Sequence, residues 1–219
     1  MKHETTKIGL VDDHVLLRSS LANLVNGFAN CKVVLQASSG EDMINQIKEG
    51  NVPDIIFLDL NMPDMDGYDT AKWLMENYPE MKIMMLSMYD ADLALIRMLQ
   101  YGVRGFLRKD VHPTELKHAI DSLIESGFYY SNTTTGRLVN LFRKSNDSTS
   151  AIQRTLLNET EILFLKLVCT EDTYKEIAQK MNLNPRSVDN LRDNLFSKLE
   201  VKSRIGLAMY AIRHGIITI

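Results

Sequence analysis

Five short apolar runs recur through the first half of this 219-residue chain: KIGLV (7 to 11), KVVLQAS (32 to 38), DIIFLDL (54 to 60), KIMMLS (82 to 87) and VRGFLRK (103 to 109). Helix-period stretches follow them, one marked by Leu17, Leu21, Leu24 and Val25, one by Met43, Ile44 and Ile47, one by Leu95, Met98 and Leu99. The last opens at Pro113, which suits a first helical turn. Runs that are apolar without alternation suit strands covered on both faces, so the order of elements predicts a parallel sheet with helices on either side.

In an open sheet of this kind the working crevice lies beyond the carboxyl ends of the strands. Polar residues interrupt the apolar pattern at those ends: Asp12 and Asp13 after the first run, Asp59 in the third, Ser87 in the fourth and Lys109 in the fifth. Carboxylates held a few ångströms apart repel by roughly 4 kcal/mol per pair at an effective dielectric near 20, which favours raised pKa values or a cation between them. Oxygen donors without sulfur or clustered histidine point to Mg²⁺. A calcium loop is excluded, because aligning Asp64, Asp66 and Gly67 to it puts Met62 first and Trp73 last. His3, His14, His112 and His118 match no catalytic pattern and are expected at the surface or in packing. Pro63 and Gly67 are expected to form the turn after the third strand.

The constellation Asp12, Asp13, Asp59, Ser87 and Lys109, with DLNMPDMDG after the third strand and GVRGFLRKD at the fifth, resembles the receiver domain of bacterial two-component response regulators. The resemblance implies a flavodoxin-like (βα)5 fold with a parallel five-stranded sheet, and a phosphoacceptor role for Asp59. It also implies Mg²⁺ held by Asp13, Asp59 and the backbone carbonyl of Asn61, with Asp12 acting through water. Lys109 and Ser87 would bond phosphoryl oxygens, and Phe106, where the family often has Tyr, would be the switch aromatic. The implied phosphodonor is a sensor histidine kinase, and the surface from Tyr89 to Leu116 is the one expected to change.

Charge divides the chain. Residues 1 to 130 carry 12 Lys and Arg against 19 Asp and Glu, a net of −7, whereas residues 151 to 219 carry 10 against 8, a net of +2. SNTTTG and SNDSTS flank RLVNLFRK, so residues 129–155 read as a polar linker with a short amphipathic helix between domains at 1–128 and 156–219. Asn158 with Glu161 and Thr173 with Glu176 are capping pairs before apolar series. The turn Asn182-Leu183-Asn184 leads into Pro185, giving helix, turn and helix, and a final helix runs from about Arg204 to His214 and stops at Gly215. Val188, Leu191, Leu195 and Leu199 form the core stripe of the helix after Pro185. Arg186, Asn190, Asp193, Asn194 and Ser197 lie opposite as candidates for base edges, while Arg192, Lys198, Lys202 and Arg204 are placed to reach phosphates.

Residues 175 to 216 resemble the LuxR-type helix-turn-helix domain, so the whole is similar to NarL/FixJ-type regulators. That resemblance implies an all-α four-helix output domain that binds promoter DNA as a homodimer. Leu191 stands where a histidine is frequent. Asp189 and Asp193 accept from cytosine N4, pair with a neighbouring Arg, or weaken a domain whose net charge is only +2. Two rival readings remain at this level: a regulator that binds DNA without phosphorylation, and a Mg²⁺-dependent aspartyl-phosphate phosphatase, which usually has an acid where this chain has Asn61. No run approaches the roughly 18 apolar residues of a membrane span, and MKHETTK lacks the apolar core of a signal peptide, so a cytoplasmic address without membrane partner is expected. The two cysteines, Cys31 and Cys169, make no metal spacing or disulfide framework.

Overall fold

The computed structural model describes residues 5–88, 95, 99–146, 157–214 and 216–217, with only the backbone for 140–146. The chain forms two compact units, the first holding the sheet and the second the C-terminal helices. In the first, β1 (Thr6–Val11), β2 (Cys31–Ala37), β3 (Ile55–Asp59), β4 (Lys82–Ser87), β5 (Gly105–Arg108) and β6 (Tyr129–Tyr130) pair in parallel in the order β2-β1-β3-β4-β5-β6. The helices are α1 (Val15–Asn26), α2 (Gly40–Lys48), α3 (Gly67–Asn77) and α4 (Pro113–Glu125). Ile8, Leu10, Ile55, Phe57, Met84 and Leu86 form one sheet face, packed on Ala22 and Val25 of α1 and on Leu116, Ala119, Ile120 and Leu123 of α4. Their neighbours Ile56, Leu58, Ile83 and Met85 are buried as completely. That double burial is why β3 reads as a continuous apolar run.

Two expectations need correction. The sheet has six strands among the described residues, not five: Gly105 and Phe106 of β5 pair with Tyr129 and Tyr130, and the Tyr130 hydroxyl donates to the Val103 carbonyl at 2.9 Å. Two aromatics suit a strand edge, but a two-residue strand is too short to show a period. The helix expected within 137 to 144 is also longer, α5 (Asn132–Asn146), and takes in the SNTTTG stretch expected as linker. Ser131 starts it, its hydroxyl accepting from the Thr134 amide at 3.2 Å, as an N-cap serine does. Thr134 is consequently buried. Leu95, Leu99 and Gln100 are helical; Met98, the part of the predicted switch surface from Tyr89 to Ala94, most of SNDSTS, Gly215 and His3 lie outside the described residues.

The second unit contains α6 (Glu159–Val168), α7 (Tyr174–Lys180), α8 (Pro185–Lys198) and α9 (Arg204–Arg213), the four helices expected. Both capping boxes form: Glu161 with Asn158 and Glu176 with Thr173. The turn before α8 passes through Asn182 at φ 52°, and the Asn184 side chain accepts from the Ser187 amide at 2.8 Å. Val188 and Leu195 are fully buried among Ile162, Phe164, Leu165, Ile177 and Leu207, with Leu191 and Leu199 partly buried beside them.

The loop after β3 depends on one glycine. Asp66 caps α3 by accepting from the amides of Tyr68 and Asp69, and Gly67 donates to the Leu60 carbonyl at 3.0 Å. A Cβ on Gly67 would lie 2.3 Å from the Asp59 carbonyl oxygen and 2.8 Å from the Leu60 Cα. Both obstacles are backbone, so they yield only by moving Asp59. Gly67→Ala is expected to destabilise the protein by roughly 1–3 kcal/mol, the scale of overpacking; an unchanged urea midpoint would contradict this packing.

Candidate functional site

β1 and β3 are adjacent although β2 lies between them in sequence, so chain direction across the sheet reverses at this pair. Their carboxyl ends therefore form the switch-point crevice. Asp12 follows β1 and Asp59 ends β3, each 2% exposed. Ser87 ends β4 and is fully buried. Lys109 follows β5, and its amide donates to the Ser87 carbonyl at 3.0 Å. The Lys109 ammonium, with its side chain only 4% exposed, lies 2.9 Å from Asp12 Oδ2 and 2.7 Å from Asp59 Oδ2. The structure thus brings together four of the five residues that interrupt the strand pattern as one charged cluster, with Asp13 at its rim and Ser87 tied to it through the backbone.

Asp59 is pushed up to about 6 from 3.8, first by burial, then held down partly by the Lys109 hydrogen bond and charge, raised again by Asp12, and lowered by the Asn61 amide. Burial works against the Lys109 charge too, but Asp59 and Asp12 outweigh it, and its pKa is raised. Three carboxylates face one ammonium, which leaves an excess of negative charge. Asp12 Oδ2, Asp13 Oδ1 and Asp59 Oδ2 are buried yet accept no hydrogen bond of directed geometry, their charge met by Lys109 and by the ring of His14. Buried acceptors in this condition fit a hard cation such as Mg²⁺, and Asp12, Asp13 and Asp59 have the oxygen donors it prefers. Receiver domains bind Mg²⁺ at an acidic pocket of this kind.

His14 is the residue that sequence reasoning passed over. Its Nδ1 lies 2.7 Å from Asp13 Oδ1 and 3.1 Å from Asp12 Oδ1. A lone histidine after two aspartates matches no metal spacing in sequence, and only the turn from β1 into α1 folds the ring back onto its neighbours. His112 and His118 behave as expected, one capping α4 and the other meeting the Tyr129 ring edge-on. Phe106 is 4% exposed on β5 and lines a cavity of about 320 Å³ with Val111, Glu115, Ser131 and Thr134.

Because the Asp59 pKa is raised on folding, the native protein holds a proton that the unfolded chain releases between pH 3.8 and about 6. Stability is lost across that interval as pH rises, and the penalty is complete above it. Asp59→Asn removes the penalty. In metal-free buffer its urea midpoint is expected to exceed that of wild type at pH 7.5, by up to roughly 3 kcal/mol of stability at 1.36 kcal/mol per pKa unit, and to converge with it near pH 4. A difference independent of pH would refute this account.

In the second unit, Arg186, Asn190, Asp193, Asn194 and Ser197 are all exposed on α8, as is Lys202 beyond it. Three of the expected phosphate contacts have partners inside the domain. Lys198 contacts both Glu161 carboxylate oxygens at 2.8 and 2.7 Å. Arg204 donates to the carbonyls of Val168 and Thr170 at the end of α6, where a cation also meets the helix dipole. Arg192 pairs with Asp189 and Asp193, and its guanidinium lies 5.2 Å from the centre of the Tyr174 ring. Of the roles left open for the aspartates, the structure has the pairing with Arg.

Residues 8–121 match the response regulator receiver domain, and residues 155–211 match the luxR family of bacterial regulatory proteins. The response regulator UvrY of Escherichia coli K12 is 29% identical over 207 residues, covering 94% of each chain. The response regulator GacA of Pseudomonas aeruginosa is 27% identical over 211 residues, 96% of this chain and 97% of that one. Among solved structures, RcsB from Salmonella enterica serovar Typhimurium bound to promoter rprA in the presence of the phosphomimetic BeF3⁻ is similar in fold, with a TM-score of 0.69 at 21% identity over 94% of this chain and 98% of that one. A structure of two RcsB dimers bound to two parallel DNAs gives 0.62 at 20% identity, over 96% and 99%. These relatives are regulators rather than enzymes, which sets the phosphatase reading aside. The chain belongs to the two-component response regulators that join a receiver domain to a LuxR-type DNA-binding domain.

Proposed function

We propose that this regulator is switched by phosphorylation of Asp59, with a sensor histidine kinase as donor and Mg²⁺ as cofactor, and that the switched form binds promoter DNA as a homodimer in the cytoplasm. The observation that carries the reading is the buried contact of Lys109 with Asp12 and Asp59 at the crevice. An oxygen of Asp59 attacks the phosphorus of a phosphohistidine, the P–N bond breaks, and the imidazole leaves with a proton from solvent. Lys109 moves from its carboxylate partners to a phosphoryl oxygen, and the Ser87 hydroxyl takes another. Bound Mg²⁺ would be held by Asp13, Asp59 and the Asn61 carbonyl, with Asp12 through water, and would neutralise the charge on the transferring group. Phe106 follows Ser87.

The division into a receiver, extended past residue 128 by β6 at its sheet edge, and an output domain at 156–219 keeps these roles apart. Among the described residues, no helix is long and apolar enough to cross a membrane. Arg186, Asn190 and Asn194 are assigned to base edges, with Asp193 and Ser197 on the same face, and Lys202 to phosphate. Arg192, Lys198 and Arg204 would reach phosphates only by leaving internal partners. Ile205 and Met209, 76% and 51% exposed one turn apart on α9, suit a contact between two copies.

Asp59→Asn is expected to take up no phosphoryl group from acetyl phosphate and Mg²⁺ while remaining folded, and phosphodonor is expected to tighten DNA binding of wild type alone. Radiolabelled acetyl phosphate reads the uptake and fluorescence anisotropy with a promoter duplex pool reads the binding; uptake at the normal rate in the variant would sink the assignment. On DNA, Arg186→Ala is expected to relax discrimination at one base pair by about 1–3 kcal/mol, whereas Lys202→Ala weakens all sequences alike and lowers the salt slope by about 1. Equal effects of the two substitutions on every duplex would undo this division.

A further inference from the structure

We propose that His14 is itself a ligand of the cation in the acidic pocket, and that its imidazole biases the site toward a divalent transition-metal ion over Mg²⁺. The proposal rests on reading that pocket as a cation site. His14 occupies the N-cap position of α1, yet its side chain makes no capping bond to the helix. The ring turns instead into the carboxylates, 2.7 Å from Asp13 Oδ1 and 3.1 Å from Asp12 Oδ1. The His14 backbone is anchored for this, its amide donating to Asp12 Oδ1 at 2.9 Å. Arg18, one turn into α1, donates to the Asp12 carbonyl and braces the same bend.

Asp12, Asp13, His14 and Asp59 each offer one donor atom, and the four lie within 4.8 Å of one another. Opposite ligands of an octahedral ion stand about 4.2 Å apart, twice a bond of about 2.1 Å, so small side-chain adjustments suffice to close the set. Asp12 and Asp59, each 2% exposed, point Oδ2 atoms into it that accept no hydrogen bond of directed geometry, their charge met by Lys109. The His14 side chain is 65% exposed, which leaves the remaining coordination positions open to water and a phosphoryl oxygen. Three carboxylates alone make a set suited to Mg²⁺, whereas a neutral imidazole adds affinity for ions further along the transition series and little for Mg²⁺.

The test uses the full chain with Mn²⁺ as probe. Pulsed electron paramagnetic resonance should show ¹⁴N coupling to bound Mn²⁺ in wild type and none in His14→Ala. Competition titration should show a preference for Mn²⁺ over Mg²⁺ that falls roughly tenfold or more in the variant, the scale seen when even outer-shell partners of a metal are removed. His14 is on the surface, so the variant folds, as its circular dichroism will confirm. Mn²⁺ bound without nitrogen coupling, or with the same preference in both proteins, would overturn the role of His14 and leave the acidic pocket as a cation site. Failure of wild type to bind either ion would overturn both.

Discussion

The Lys109 ammonium, scarcely reached by water, sits between Asp12 at 2.9 Å and Asp59 at 2.7 Å. Three strands that are not consecutive in the chain meet at that contact. Without the ammonium, three buried or half-buried carboxylates would face one another at low dielectric. Even with it, burial above all, and then the Asp12 charge, keeps Asp59 well above the usual carboxylate range. Removing the ammonium from this buried set would leave its carboxylates uncompensated and is strongly unfavourable, whereas replacing the whole set by apolar residues often is not. The cluster is therefore a poor device for stability and a good one for chemistry, since it stores an excess of negative charge that an arriving cation relieves.

The surrounding backbone serves the same end. Parallel strands buried on both faces hold Asp59 rigidly at the end of β3, and the Asp66 cap with the Gly67 close approach determines the path of the chain immediately after it. On the other side, β6 continues the sheet past the strand that carries Phe106, with Tyr130 directly opposite it in the register.

The second unit treats its charges differently. Its net charge is only +2 over residues 151 to 219, and Arg192, Lys198 and Arg204 are engaged with Asp189 and Asp193, Glu161, and the carbonyls that end α6. Long-range attraction to the phosphate backbone is correspondingly modest. Under the proposed function, sequence recognition would depend more on the polar face of α8 and on pairing of two copies than on bulk charge.

Much of this was legible in the residues themselves. Burial on both faces of a parallel sheet demands continuous apolar runs, so Ile55 to Leu58 announced β3 and made Asp59 conspicuous; Asn158 with Glu161 and Thr173 with Glu176 announced their helices, because a cap is a local interaction. Tertiary structure alone decided the remainder. Tyr129 and Tyr130 form a strand only because β5 offers an unpaired edge, a non-local fact that two residues cannot encode in a period. Arg204 and Lys198 read as free basic residues because their partners lie 36 and 37 positions away. His14 is adjacent to Asp13 in sequence, but whether its ring faces helix, solvent or carboxylates depends on the turn after β1. Local chemistry and periodicity thus determined which elements form and which residues stand at strand ends, whereas pairings across the chain and side-chain direction at a bend became definite only when the sheet and the helical core closed.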